Sequence, residues 1–262
     1  GGPRRIAAGL FFILALAVTG CATQQARDLV LHPPADLASR VELGAVPFYA
    51  QEEYQCGPAA LAMALNFGGA QLSPAQLAPQ VYLPGRQGSL QAEMLAAARR
   101  HGFVALMLAP QLSDLLEELA AGHPVVVLQN LGLDWIPVWH YALAIGYDLE
   151  RAHLVLRSGL ARREEVSLNT FDRTWARGGR WAMLALAPGD LPATVDADAY
   201  VLAATRLEKT EPRSAKSAYQ AILQQQPDHY LALMGLGNVA YAERDLAAAA
   251  AAFRAASRVR PD

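Results

Sequence analysis

Two parts of this chain hold the residues best suited to covalent chemistry. The first is the run Gln51-Glu52-Glu53-Tyr54-Gln55-Cys56-Gly57-Pro58-Ala59-Ala60-Leu61-Ala62-Met63. The alanine-rich apolar stretch after Cys56, with Pro58 near its start, predicts a helix that opens at the cysteine and ends at Gly68-Gly69. A thiol at a helix mouth meets unpaired backbone N–H groups and the positive end of the helix dipole, and both favour the thiolate. The backbone N–H of Cys56 is one donor for a developing oxyanion, and the side-chain amide of Gln51 is the candidate for the second, with Gln55 behind it. The second part is His140, which begins an otherwise apolar segment after a tryptophan-containing loop. An imidazole there can take a thiol proton and return it to a leaving amine. Trp135 and Trp139 flank that loop and are candidates to line a substrate groove. The other histidines read as surface or structural: His32 in a polar segment, His101 and His123 at helix-to-strand junctions, His153 beside a turn and His229 in a helical region.

Cysteine usage sharpens the case. Arg4 and Arg5 precede an uncharged apolar run from Ile6 to Val18, then Val18-Thr19-Gly20-Cys21. This is the layout of an export signal, too short to span a bilayer, followed by small residues and a thiol. It resembles a bacterial lipobox, which implies that residues 1–20 are removed and that Cys21 carries the lipid. Cys56 is then the one free thiol of the mature chain, in a compartment where oxidation is permitted. The expected location is the cell envelope, lipid-anchored in the outer membrane and facing the periplasm.

The run Gln51 to Leu61 resembles the bacteriocin-processing, double-glycine-leader peptidases and their papain-like relatives. The likeness continues through Pro84-Gly85 to Ala97, Gly122 to Leu128, and Trp139-His140-Tyr141-Ala142-Leu143-Ala144-Ile145-Gly146-Tyr147-Asp148, and it covers residues 45 to 187. It implies a papain-like cysteine peptidase acting on a peptide or protein through a thioester, with Cys56 as nucleophile, His140 as base and Gln51 as oxyanion donor. The family usually places an aspartate, often followed by proline, at the end of the strand after the histidine strand; here that position is Ser158. A serine accepts the imidazole N–H bond without bringing negative charge. Asp148 would lie about 25 Å from His140 along an extended strand and is set aside, while Asn130 and Asp134 stay open as partners. Gln51 is also one residue nearer the cysteine than is usual. The transporter-fused members carry membrane helices and an ATPase, and no phosphate loop of the form GxxxxGK[ST] occurs here. A weak or inactive relative that binds peptides or an envelope partner is the alternative reading, and a transferase using the same thiol is a third.

The elements that must position these residues are predicted as follows. Residues 21–44 form a lipidated tether, and Val46 to Tyr49 are extended. Ser73-Pro74 opens a short helix, and Ser89 caps a helix running to Arg100. Phe103 to Leu108 and the uninterrupted Pro124 to Leu128 are strands on either side of an amphipathic helix, Ser113 to Ala121. His140 to Tyr147, His153 to Arg157 and Arg163 to Leu168 form an antiparallel meander, with Arg162-Arg163-Glu164-Glu165 as a solvated turn. A short helix from Phe171 to Ala176 and a strand from Trp181 to Leu186 close the domain. The fold class is α+β, with a papain-like domain over 45–188.

Residues 193–262 predict a small all-α appendage. Pro227 and Pro261 are 34 residues apart, the tetratricopeptide period. Leu236-Gly237, Ala249, Phe253, Ala256 and Pro261 follow that pattern, and Ala203, Ala215, Tyr219 and Pro227 echo it. Two units are fewer than an independent solenoid needs, so this region must lean on the first domain or on a partner protein. The formal net charge of −2 excludes a long-range field that would gather nucleic acid. No two histidines stand at ligand spacing, so neither a metal nor a cofactor is expected.

Overall fold

The computed structural model describes residues 23–51 and 55–261. The expected signal over residues 1–20 and the lipidated Cys21 lie outside the described residues. The fold is α+β, built on one antiparallel sheet with strand order β4-β9-β5-β6-β7-β8 and with β1 also paired to β6. The strands are β1 (Arg40–Glu42), β4 (Val104–Met107), β5 (Val125–Asn130), β6 (Trp139–Asp148), β7 (His153–Ser158), β8 (Ala161–Ser167) and β9 (Ala182–Leu186). A two-stranded sheet of β2 (Tyr82–Leu83) and β3 (Gly88–Ser89) stands apart from it.

β5 is buried at every position and β6 from Tyr141 to Tyr147, because helices cover both faces of the sheet. One face packs α2 (Cys56–Phe67), α3 (Pro74–Val81) and α4 (Gln91–Arg100) through Leu61, Met63, Leu65, Tyr141, Leu143 and Ile145. The other packs α1 (Gln24–Leu31), α5 (Leu112–Ala120) and α6 (Leu168–Arg177) through Leu115, Ala142, Ala144, Leu156 and Trp175. Alternation along β6 therefore feeds two cores from one strand. α2 is buried on all sides from Gly57 to Leu65, which is why its sequence shows no polar face.

Three expectations are revised. The described part of the expected tether is folded: Ala26 and Leu29 of α1 reach the core, and β1 pairs with the far end of β6. Spacing of three residues puts Ala26 and Leu29 on one helical face, a short pattern that the surrounding polar residues obscure. Ser89 does not cap α4, whose N-cap is Leu90, but belongs to β3. The charged cluster from Arg162 to Glu165 lies within β8, whose exposed residues protect an edge strand.

The C-terminal helices are α7 (Ala197–Ala204), α8 (Pro212–Gln225), α9 (Tyr230–Ala242) and α10 (Leu246–Val259). Tyr200, Leu207, Tyr219 and Ala232 belong to the same core cluster as the sheet face covered by α5 and α6. A Cβ on Gly235 would meet the Tyr219 ring at 2.4 Å, and one on Gly237 would meet Phe253 at 2.3 Å. Small residues thus admit aromatic rings between neighbouring helices. Glu118, fully buried, accepts from the backbone N–H and the hydroxyl of Thr194 at 2.8 and 2.7 Å and lies 2.7 Å from His123 Nδ1, which fastens α5 to the chain leading into α7.

Candidate active site

Cys56 is the first residue of α2. Its backbone N–H and that of Gly57 precede the first intrahelical bond, and Pro58 has no N–H to leave unpaired. Gly57 is required by packing: a Cβ there would lie 2.3 Å from Ser89 Oγ and 2.7 Å from Ser89 Cβ. The glycine therefore lets β3 close against the helix mouth beside the thiol.

β6 supplies the opposing groups. His140 follows Trp139 at its start, and His140 Nε2 lies 3.0 Å from Ser158 Oγ at the end of β7. With the ring proton on Nε2, the imidazole donates to the hydroxyl and Nδ1 carries the basic lone pair. Asn130 is not the partner, because its Oδ1 accepts from Gly132 N–H at 3.0 Å and Val138 N–H at 2.9 Å and so shapes the loop before His140. Asp148, at the other end of β6, accepts from Arg151 N–H at 2.9 Å. Asp134 makes no bond to the ring among the described residues.

Cys56, His140 and Gln51 line one cleft of about 850 Å³. No hydrogen bond joins the thiol to the imidazole; the backbone N–H groups of Tyr141, Gly57 and Cys56 act on the sulfur instead. Burial pushes the thiol pKa up, and those N–H groups only partly oppose it. Burial also pushes the His140 pKa down, against a weaker upward pull from the Glu164 carboxylate. The helix-mouth N–H groups do favour the thiolate, as expected, but desolvation of the charge opposes them more strongly. Both shifts favour the neutral thiol and neutral imidazole over the ion pair.

Gln51 is buried, and its backbone N–H donates to Gly159 O at 3.1 Å. Its side-chain Nε2 makes a long 3.5 Å contact to Tyr141 O, and Oε1 has no partner among the described residues. The amide is therefore held beside the thiol with its donor weakly engaged. Trp139 lines the cleft, whereas Trp135, 75% exposed, is not among its lining residues.

The sequence reading assigned no role to several residues that build the site. Tyr141 bonds Ser89 O through its hydroxyl at 3.1 Å and packs edge-on against Trp181 with ring centroids 5.7 Å apart, which joins β6 to β3. Gly178 forms part of the wall because a Cβ there would lie 2.3 Å from Leu128 O. Arg86 and Arg177 also line the cleft, and nothing in their local sequence marked them.

The sequence profile described as the Peptidase_C39 like family matches residues 44–183, more than half of the chain. The chain belongs to that family. Solved structures resemble this C39-like chain at low identity. A protein from Bacillus anthracis described as a C39-like peptidase is 20% identical with a TM-score of 0.47, covering 56% of this chain and 97% of its own. The peptidase domain of Streptococcus ComA, a bifunctional ABC transporter involved in quorum sensing, is 19% identical with a TM-score of 0.42, covering 53% and 96%. A double-glycine-motif protease from an AMS/PCAT transporter, solved with a leader peptide, is 20% identical with a TM-score of 0.39, covering 53% and 89%. No curated protein matches the sequence.

Proposed function

We propose that this C39-like protein is a cysteine peptidase of the cell envelope that hydrolyses an amide bond in a peptide or protein. The observation that carries the reading is the convergence of Cys56 and His140 on one cleft, with the imidazole Nε2 held by Ser158 so that Nδ1 remains basic. In the first step the Cys56 thiol gives its proton to His140 and attacks the scissile carbonyl. The oxyanion is met by the Cys56 N–H and, once it turns from Tyr141 O, by the Gln51 amide. Collapse breaks the C–N bond, and His140 returns the proton to the leaving amine. Water then attacks the thioester with His140 as base, which releases the acid and restores the thiol. Trp139 lines the substrate groove.

The test is cleavage of a quenched-fluorescence peptide library by the wild type, Cys56→Ala, His140→Ala and Gln51→Ala. Turnover by the wild type that is lost in the first two variants and reduced about 10²- to 10³-fold in the third is expected. Cleavage that survives Cys56→Ala refutes the assignment. One observation favours a second reading, a peptide-binding module with little turnover: among the described residues, the imidazole has no hydrogen-bonded carboxylate partner. Tight binding without turnover by wild type would select it.

Lipidation of Cys21 and anchoring to the outer membrane, facing the periplasm, complete the proposal. Its support is the apolar run Ile6 to Val18 followed by Thr19-Gly20-Cys21. Labelling with an alkyne fatty acid in cells, lost in Cys21→Ala, is the check. Residues 193–262 are proposed to form tetratricopeptide-like helical repeats that offer a surface to a protein partner. The support is the packing of Tyr219 and Phe253 over Gly235 and Gly237.

A further inference from the structure

Resting on the peptidase reading above, we propose that Arg86 and Arg177 make the cleft selective for peptides that present a carboxylate beside the bond to be cut. Arg86 closes the short 3-10 turn Pro84–Arg86 between β2 and β3, and Arg177 ends α6. Both line the cleft that holds Cys56 and His140. Among the described residues, no aspartate or glutamate lines that cleft, although the chain as a whole has a formal net charge of −2.

Arg177 is half-buried, and its Nε donates to Asn130 O at 3.2 Å. That bond fixes the stem while the terminal nitrogens remain without a partner among the described residues. Its place at a helix C-terminus favours the cation, so the group is held without an acidic partner. Arg86 is exposed and has no ion-pair or hydrogen-bond partner among the described residues. A guanidinium presents a planar fork that matches a carboxylate. Much of the remaining wall is neutral, including the amides of Gln87 and Gln91 and the apolar Leu128, Val138 and Trp139. Such a wall accepts apolar residues equally from many peptides, whereas two cations attract anionic ones and repel those carrying lysine. An acidic side chain and a free peptide C-terminus supply the same carboxylate.

The test uses the full chain as Cys56→Ala and short fluorescent peptides of alanine, leucine and glycine with a central Glu, Gln or Lys. Each peptide is prepared as free acid and as C-terminal amide, and binding is followed by anisotropy at low and high salt. The central-Glu amide is expected to bind roughly five- to tenfold tighter than the central-Gln amide if side chains are read. The Gln free acid shows that advantage instead if the terminus is read, and the Lys amide binds most weakly. The preference shrinks with salt, disappears in Arg86→Gln/Arg177→Gln and persists in Arg177→Lys. Equal binding of the Glu, Gln and Lys peptides, binding of none of them, or a preference untouched by removing both arginines overturns the proposal. The peptidase reading is judged separately: if the wild type cleaves none of the peptides that Cys56→Ala binds, hydrolysis fails while the selectivity stands.

Discussion

Ser158 decides how well His140 is supported, and its replacement can be worked through from the geometry. The 3.0 Å contact between Ser158 Oγ and His140 Nε2 is a neutral hydrogen bond in a half-buried site, worth about 1 kcal/mol net. Ser158→Ala should therefore lower kcat/KM about fivefold, by letting the ring adopt the tautomer with Nδ1 protonated. Ser158→Asp has the opposite effect. A carboxylate about 4 Å from an imidazolium is attracted by about 4 kcal/mol at an effective dielectric near 20. Desolvating the new carboxylate consumes several kcal/mol. A remainder of about 1.4 kcal/mol corresponds to a tenfold change. The direction follows from the two shifts: burial raises the Cys56 thiol and lowers His140, and both favour the neutral pair over the ion pair. Wild-type alkylation by iodoacetamide should thus rise only above the ordinary thiol range. In Ser158→Asp the imidazolium is stabilised, and alkylation at pH 7 should be about tenfold faster. His140→Ala in the Asp background should abolish that gain. Identical alkylation profiles for wild type, Ser158→Ala and Ser158→Asp would refute the claim that Ser158 orients the base.

Three further outcomes follow from packing. Gly57→Ala places a Cβ 2.7 Å from Ser89 Cβ and should cost about 1–3 kcal/mol in urea unfolding; Ser89→Gly should recover most of it, and no recovery would show that the strain lies elsewhere. Burial raises the Glu118 carboxyl, but its bonds to His123 and Thr194 outweigh burial and leave its pKa lowered. Its contribution is then complete above the unfolded carboxylate range and is lost as pH falls through the folded pKa, so Glu118→Gln should cost about 1.5–3 kcal/mol at pH 7 and flatten the acid limb of the stability curve. An unchanged acid limb would refute that linkage. Truncation after residue 190 uncovers the sheet face under Tyr200 and Leu207; the shortened protein should aggregate or lose its cooperative transition in calorimetry, and a soluble, cooperative fragment would show that the two regions fold independently.

The parts of the site that could be read in advance are those where a local rule and the final environment agree. The start of α2 at Cys56 follows from proline and alanine placement, and the strand begun near His140 follows from its apolar run. Ser158 was placed by counting strands from His140, and β7 ends there because the backbone turns at Gly159, whose φ is +55°. What could not be read depends on chain segments distant in sequence. β9 inserts between β4 and β5 rather than following β8, and that crossover brings Gly178 against Leu128 to form one wall of the cleft. Arg86 and Arg177 meet the cleft for the same reason. α1 reads as part of a tether because its buried residues are only two, and the helices they pack against lie more than 80 residues away in sequence.

The thiol shows where local reasoning misjudges the chemistry. The helix start does direct N–H groups at Cys56, as the Cys-Gly-Pro pattern implies. Yet Gly57, the second residue of the helix, lets β3 close against its mouth, and Tyr141 anchors β3 to the sheet. The packing that brings β3 beside the nucleophile also removes water from it, and the desolvation raises its pKa more than the N–H groups lower it. On the proposed mechanism, proton transfer to His140 then accompanies attack rather than preceding it. Because His140 is itself depressed by burial, the step depends on whatever stabilises the imidazolium as it forms. Among the described residues that touch the ring, Ser158 is the one hydrogen-bonding partner. On the proposed peptidase mechanism, a hydroxyl in place of a carboxylate limits the rate at the proton transfer, and a solvent isotope effect on acylation, larger in wild type than in Ser158→Asp, is its expected signature.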